Sequence, residues 1–336
     1  MSARGMDMGT YNLIACHRDD NGDFVHKREI NAFLELPLEE RFVFNMMKKS
    51  GVPLIEREKV AYALGEAAVK MAYTMPNIDL KRPMKDGCLN PQEKDAMNII
   101  KVMIHSLIGE IEEDGTLIYY SIPANAINEE TDADYHSEVL ASILRSYSSS
   151  DGYKLDPRPI NEGLALVFSE LGEKQFTGIG ISCGAGMVNV CFSVFSHPVF
   201  SFSIVNSGDW IDKMAAKAAG ENATYINQRK MTVALDKEPE DIVERAIQTQ
   251  YRLMIMNTVK HIKEGLSDAG KKARTGAPID IVIAGGTSSP QGFDTLFAEV
   301  LKEMDLPIDV GNIIRPKDPL YSVAKGCLIA AENSVS

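Results

Sequence analysis

Three short segments carry residue types at spacings that suit the handling of a phosphorylated, metal-bound ligand. In the segment GMDMGTYN (5–12) a strand delivers Asp7 to its end, and Gly9 lets the chain turn with no Cβ in the way. Thr10 adds a hydroxyl and a backbone N–H. Such a turn can cradle phosphate oxygens, while Asp7 sits near a phosphate-bound Mg2+, through water. In ISCGAGM (181–187) Gly184 and Gly186 free the backbone around a second anion, and the small Ala185 keeps the space open. In IVIAGGTSSPQGF (281–293) an apolar strand runs into Gly285-Gly286-Thr287, where the backbone can approach a flat or anionic ligand. Each segment also has a plainer reading: a hairpin turn with a capping Asp, an ordinary β-turn, and a helix start capped by Ser288 or Ser289.

The elements that must position these turns follow from periodicity. Residues 5–16 and 23–36 read as two strands around an Asn21-Gly22 turn. Apolar spacing near three and four predicts helices over 37–49, 60–73 and 91–109. A strand at 116–122 ends at Pro123, and a helix covers 134–147. From Pro159 the pattern restarts. A short strand enters Asn161-Glu162-Gly163, a helix runs to Leu171, and strands follow at 176–183, 188–195 and 198–206. Helical stretches cover 210–219 and 238–267; strand 279–286 precedes a helix at 291–304, and a last helix covers 319–332. Each half thus opens with a hairpin whose first turn is rich in glycine.

Composition narrows the function. The net charge of −12 repels phosphate backbones, so no nucleic-acid surface is expected, yet a few backbone N–H groups can still hold a nucleotide. Cys16, Cys88, Cys183, Cys191 and Cys327 form no CxxC pair and read as free thiols in a reducing cytoplasm. The six histidines share no metal-binding spacing, and the 16 methionines read as core and interface filling. No apolar run suggests a membrane span. Met1 to Arg4 is too short for a signal peptide or an amphipathic anchor. The apolar run at 190–200 fits a buried sheet, with an exposed hairpin tip and a peripheral membrane contact left open.

The order of these motifs resembles the actin superfamily, which includes sugar kinases and the seventy-kilodalton heat-shock chaperones. It is most similar to prokaryotic actins of the MreB and MamK type, including archaeal shape-determining actins. GMDMGTYN resembles the first phosphate loop and RPMKDG (82–87) a segment typical of MreB proteins. PINEGLALVFSELG (159–172) resembles the first connecting segment, GISCGAGMVNVCF (180–192) the second phosphate loop, and VNSGDWIDKMA (205–215) the segment after it. The turn at 281–287 resembles the adenosine motif, and DPLYSVAKGCLIAA (318–331) the second connecting segment. Two departures stand out. Ser182 occupies the place of the family's acid, with Met187, Val188 and Asn189 where Thr-Thr-Asp/Glu is usual, and Gly163 replaces a proline.

The resemblance implies an α/β chain with the actin-like fold: two related, ribonuclease-H-like α/β domains around a nucleotide cleft. Domain I would cover 1–158 with a small subdomain at 33–80, domain II 159–315 with one at 215–278, and 316–336 would return to domain I. It implies ATP or GTP with Mg2+ near Asp7. Glu162 would orient the attacking water; its plain reading is a helix-start acid favoured by the dipole. Gly9, Thr10, Tyr11, Asn12, Gly184, Ala185 and Gly186 would contact phosphates, and Gly285, Gly286 and Thr287 the base and α-phosphate. Gly208 and Asp209 would lie near the ribose or second loop, Asp209 reading equally as a cap for a helix starting at Trp210. Arg229 and Lys230 fall where members of the resembled family approach the base, and read as a solvated helix face. The implied function is a slow ATPase that assembles with itself head-to-tail into cytoskeletal filaments in cell shape or intracellular organisation. A monomeric nucleotide-binding assembly factor, a small-molecule kinase and a scaffold that no longer binds nucleotide are the alternatives.

Overall fold

In the structure, a computed structural model, residues 3–37, 45, 47–49, 51, 54–57, 60–74, 80–90, 95–270 and 276–335 are described. The first half begins with strands β1 (Ala3–Met8), β2 (Asn12–Arg18), β3 (Phe24–Ile30) and β4 (Phe33–Pro37). β5 (Leu54–Arg57), β6 (Val60–Leu64) and helix α1 (Gly65–Thr74) follow, then β7 (Met84–Lys85), β8 (Cys88–Leu89) and α2 (Ala96–Ile108). β9 (Thr116–Ile122), α3 (Ala133–Arg145) and β10 (Leu155–Asn161) complete it. The second half runs α4 (Glu162–Glu170), β11 (Gly178–Cys183), β12 (Val188–Val194), β13 (His197–Ile204), α5 (Gly208–Ala219) and α6 (Ala223–Lys230). It ends with α7 (Ile242–Ala269), β14 (Ile279–Ala284), α8 (Phe293–Met304), β15 (Val310–Ile314) and α9 (Ser322–Val335).

The two main sheets share one plan. The first has the order β10-β9-β1-β2-β3 and the second β13-β12-β11-β14-β15. In each, three strands form an antiparallel meander, and two later strands add in parallel on the far side of the first. The repeat, weak in residue identity, is therefore plain in topology. Parallel additions need crossover helices, and these supply the two cores. α2 and α3 cover Met6, Met8 and Tyr120 of the first sheet; α5, α7 and α8 cover Ile181, Val190 and Ile283 of the second.

Three elements differ from their sequence reading. The helix expected over 60–73 is half strand: β6 lies between β4 and β5, burying Ala61, Tyr62, Ala63 and Leu64. A central strand is apolar on both faces, which mimics helical spacing over five residues. Gly65, at φ +60°, then turns the chain into α1. The single strands expected at 5–16 and 23–36 each split in two, at the turn after Met8 and at Asn31-Ala32. The helix expected at 37–49 lies largely outside the described residues.

The departure at Gly163 has a steric cause. A Cβ there would lie 2.5 Å from the Cys191 nitrogen and 2.9 Å from the Gly180 oxygen. The Gly163 N–H also donates to Asn161 Oδ1 at 2.9 Å, capping α4. Restoring the family residue with Gly163→Pro removes that bond and forces the clash. Chemical denaturation should show a loss of about 3 kcal/mol; unchanged stability would refute this packing.

Candidate functional site

A cavity of about 330 Å³ lies between the two main sheets. Asp7, Gly9, Thr10, Tyr11 and Asn12 line it from the β1–β2 turn, and Glu162 from the start of α4. Gly184, Ala185 and Gly186 line it from the β11–β12 turn, Asp209 from α5, and Gly285, Gly286 and Thr287 from the turn after β14. The fold thus brings together all the sequence-selected residues except Gly208. That glycine sits behind the β11–β12 turn, its N–H donating to the Gly184 oxygen at 3.2 Å. A Cβ on it would meet Thr287 Oγ1 at 2.5 Å.

The strand ends explain the floor. β1 and β11 each carry one residue to the cleft, Asp7 and Ser182, and α4 begins with Glu162 between them. Ser121 Oγ donates to Asp7 Oδ1 at 2.8 Å, and Ser182 Oγ donates to Glu162 Oε2 at 2.9 Å. Asn189, opposite Ser182 in the ladder, also hydrogen-bonds Glu162 and is itself held by Ser203. Desolvation raises Asp7 to about 6, against the help of Ser121. Desolvation first, and the charge of Asp7 second, raise Glu162 to about 8. The two acids titrate as a pair whose charges repel, which suits a cation between them.

The turns present the opposite polarity. Among the described residues, Gly9, Thr10, Ala185 and Gly186 donate no backbone N–H to another protein group. Gly184 turns its oxygen away, accepting from Ser207 Oγ and Thr287 Oγ1. Gly186 must be glycine here: a Cβ would lie 2.4 Å from the Gly87 nitrogen and 2.5 Å from Thr10 Oγ1. The β7–β8 turn, Asp86-Gly87, thereby closes over both loops, and Gly87 donates its N–H to Thr10 Oγ1 at 3.2 Å. The arrangement is an anion cradle above an acidic floor.

The other end of the cavity corrects two readings. Lys230 is 6% exposed and lines the cleft; it is not on a solvated face. Its Nζ pairs with Asp212 Oδ1 at 2.6 Å and donates to the Gly208 oxygen at 2.9 Å, while Asn227 holds Asp212 Oδ2. Desolvation raises Asp212, opposed by Lys230. Arg229 instead bridges Asp241 and Glu244. The buried hydroxyl of Tyr251 and the exposed Met231 complete this polar-and-apolar end. Ser288 does not cap a helix: its Oγ donates to the Gly285 oxygen, and Gly292 stands at the start of α8.

Asp209 is not the cap of α5 either, because Ser207 holds that position. Its carboxylate takes both oxygens to Arg82 Nη1, at 3.0 and 2.9 Å, and the guanidinium lies 4.9 Å from the Tyr11 ring centroid. This pair ties the first half to the second across the cleft mouth. A second tie joins Asn128 to Asn206 and Val205. The Arg82 contacts contribute about 1 kcal/mol. Arg82→Ala should therefore speed release of a bound fluorescent nucleotide about fivefold, with little change in unliganded melting. A chase experiment with unchanged release would show that the mouth opens elsewhere.

Arg82, Lys230, Asp212, Asn227, Tyr251 and Arg28 are cleft or rim residues the sequence reading did not select. Three of them carried a signal: Arg82 within RPMKDG, Asp212 within VNSGDWIDKMA, and Lys230 at a place where the resembled family approaches the base. Among the described residues no group of three or more His, Cys, Asp or Glu could hold a metal, and no helix is long and apolar enough to cross a membrane.

A family model described as Volactin matches residues 1–331. No curated protein matches the chain. Among solved structures, a MamK double helical filament is similar at TM-score 0.72 and 16% identity, over 98% of each chain. MreB5 of Spiroplasma citri bound to AMPPNP is similar at TM-score 0.68 and 16% identity, over 99% of this chain and 97% of that one. The ethanolamine utilization protein EutJ from Carboxydothermus hydrogenoformans is similar at TM-score 0.53 and 16% identity, over 98% and 90%. At these identities the likeness establishes the actin-like fold.

Proposed function

The chain belongs to the Volactin family and carries the actin-like fold, and on that premise we propose that it is a cytoplasmic, nucleotide-dependent, filament-forming protein with slow hydrolysis. The observation that carries the reading is the cleft itself. Two glycine turns offer N–H groups that bond no other described residue, above a floor holding Asp7 and Glu162. The similarity to a filament of MamK and to MreB5 bound to AMPPNP supports it.

In this reading ATP or GTP lies with its phosphates against Gly9–Asn12 and Gly184–Gly186. Its nucleoside lies toward Gly285–Thr287, Met231 and Lys230. The floor fits Mg2+: the hard carboxylate of Asp7, with no cluster of three acids among the described residues, leaves room for the waters this ion retains. When bound near Asp7, Mg2+ would offset the charge of the phosphates. Glu162 orients a water toward the terminal phosphate. Ser182 and Asn189 fix the carboxylate but cannot take up its proton as a second acid would. That is the physical reason for slow turnover and long-lived polymers.

Coupling to assembly follows from where the ligand sits. Residues 1–158 and 159–315 move as two units in this proposal, with 316–336 returning to the first. A nucleotide between them favours closure, and closure aligns head-to-tail faces into a non-closing, heterologous strand. High-speed pelleting and negative-stain microscopy with ATP, GTP, ADP and no nucleotide test this. Polymer is expected with a triphosphate. Nucleotide-dependent thermal stabilisation without polymer in any condition would instead support the monomeric assembly-factor reading. Phosphate release as fast as a rapid actin-type ATPase would overturn the slow-turnover claim.

A further inference from the structure

Five charged side chains line the cleft: Asp7, Glu162, Asp209, Lys230 and Arg28. Their pairing is uneven. Asp209 is held by Arg82, and Lys230 by Asp212. Asp7 and Glu162 share the floor and repel each other. Arg28 is the one lining cation that makes no close ion pair among the described residues; the Glu66 carboxylate feels its charge but bonds Lys70. It is also not a loose surface side chain. It stands on β3 opposite Ile14 of β2, and its Nε donates to Asn12 Oδ1 at 2.8 Å.

That tether has a chemical consequence. A guanidinium has five N–H donors in a fixed plane, and the bond to Asn12 uses the one on Nε. The four on Nη1 and Nη2 stay available beside the first glycine turn. The neighbouring acids make their hydrogen bonds and ion pairs elsewhere, although Lys70 first and then Arg28 lower the Glu66 carboxyl. Glu29 Oε1 accepts from the Ile30 and Glu66 N–H groups, and Glu66 pairs with Lys70 at 2.7 Å. A planar, permanently charged fork held at a cavity wall is suited to phosphate oxygens, which it can bind in pairs.

We propose that Arg28 is the cleft's phosphate-binding cation, taking the phosphates of a nucleoside di- or triphosphate and giving them a charged contact that does not depend on metal. The proposal rests on the nucleotide reading of the cleft and adds a residue that no glycine motif reveals. It also answers an electrostatic difficulty. A polyphosphate entering a metal-free cleft meets two acids and a chain of net charge −12. Arg28 is the side chain placed to offset that repulsion before a cation arrives.

The test uses the full chain with Arg28→Gln and Arg28→Lys, titrated calorimetrically with adenosine, AMP, ADP and ATP, in Mg2+ and in EDTA. Arg28 is exposed, so both variants should melt like the wild type without ligand. Arg28→Gln should weaken ADP and ATP about tenfold or more while leaving adenosine unchanged. In EDTA the wild type should still bind ADP, and Arg28→Gln should lose it. Arg28→Lys should fall between. Equal ADP and ATP affinity in wild type and Arg28→Gln would overturn the assignment, as would an equal loss for adenosine. A wild type that binds none of the phosphorylated ligands would bring down the nucleotide reading and Arg28 with it.

Discussion

Glu162→Gln should raise the melting temperature of the metal-free protein near pH 8 and lower phosphate release about a hundredfold or more. The two effects have one origin. In the folded protein desolvation raises the Glu162 carboxyl from 4.5 to about 8. Folding therefore takes up a proton between those values, and stability falls as pH rises through that window. Asp7, raised to about 6, adds the same slope over the lower part of it. Near pH 5 the charge is absent in the fold and wild type and variant should melt alike. Near pH 8 the wild type carries a poorly solvated carboxylate, and the variant does not. Gln retains an oxygen for the Ser182 hydroxyl, so the hydrogen bond is kept while the charge is lost.

Mg2+ should reverse the comparison. A divalent cation favours the ionised pair, so its affinity for the wild type should strengthen from about pH 6 to about pH 8. In Glu162→Gln that dependence should be shallower and the binding weaker. Calorimetric melts across this range, with and without Mg2+, read both effects. A variant that melts below the wild type near pH 8, with an unchanged pH slope, would show that Glu162 is not the desolvated acid. A variant that releases phosphate at the wild-type rate would remove it from the hydrolytic reading, whatever its stability.

The glycine turns were legible because their chemistry is local. Gly9, Gly184 and Gly186 announce backbone freedom wherever they occur, and their order along the chain carried the resemblance to the actin superfamily that implied the fold class. Asp7 and Glu162 were legible as residues at the ends of strands. What their burial does to them was not, because desolvation is set by both sheets at once. Lys230 shows the limit most clearly. In QRKM it reads as a solvated base, and only the approach of α5 supplies Asp212 and the Gly208 oxygen that bury it. Arg82 and Asp209 lie in different halves of the sequence, so their pairing across the cleft has no local signature even though each falls in a motif. β6 was lost for a different reason: five apolar or small residues in a row satisfy strand and helix periods equally, and the deciding neighbours are β4 and β5.

Gly326→Ala should lower the melting temperature by at least about 5 °C, a larger effect than a single methyl usually has at a helix surface. The reason is where α9 and α4 meet. A Cβ on Gly326 would lie 1.8 Å from the Ala165 oxygen and 2.5 Å from its carbonyl carbon. Backbone cannot yield as a side chain would, so one helix must move. Neither is free to do so. On its other face α4 presses Gly163 against β11, where a Cβ on Gly180 would sit 2.0 Å from the Gly163 oxygen. On its other face α9 presses on β1, where a Cβ on Gly5 would sit 2.3 Å from the Ala324 oxygen. The stack β1, α9, α4, β11 is thus closed at backbone distance from one main sheet to the other, and it passes beneath the cleft. Displacing α9 must separate the sheets or tilt them, moving Asp7 on β1 relative to Glu162 on α4. Gly286→Ala is the matching control. A Cβ there meets nothing within 4 Å, so unliganded melting should hold, while any ligand stabilisation that depends on close approach to this turn should be lost. If Gly326→Ala melts like the wild type and Gly286→Ala does not, the backbone contact of α4 with α9 is not what joins the two halves.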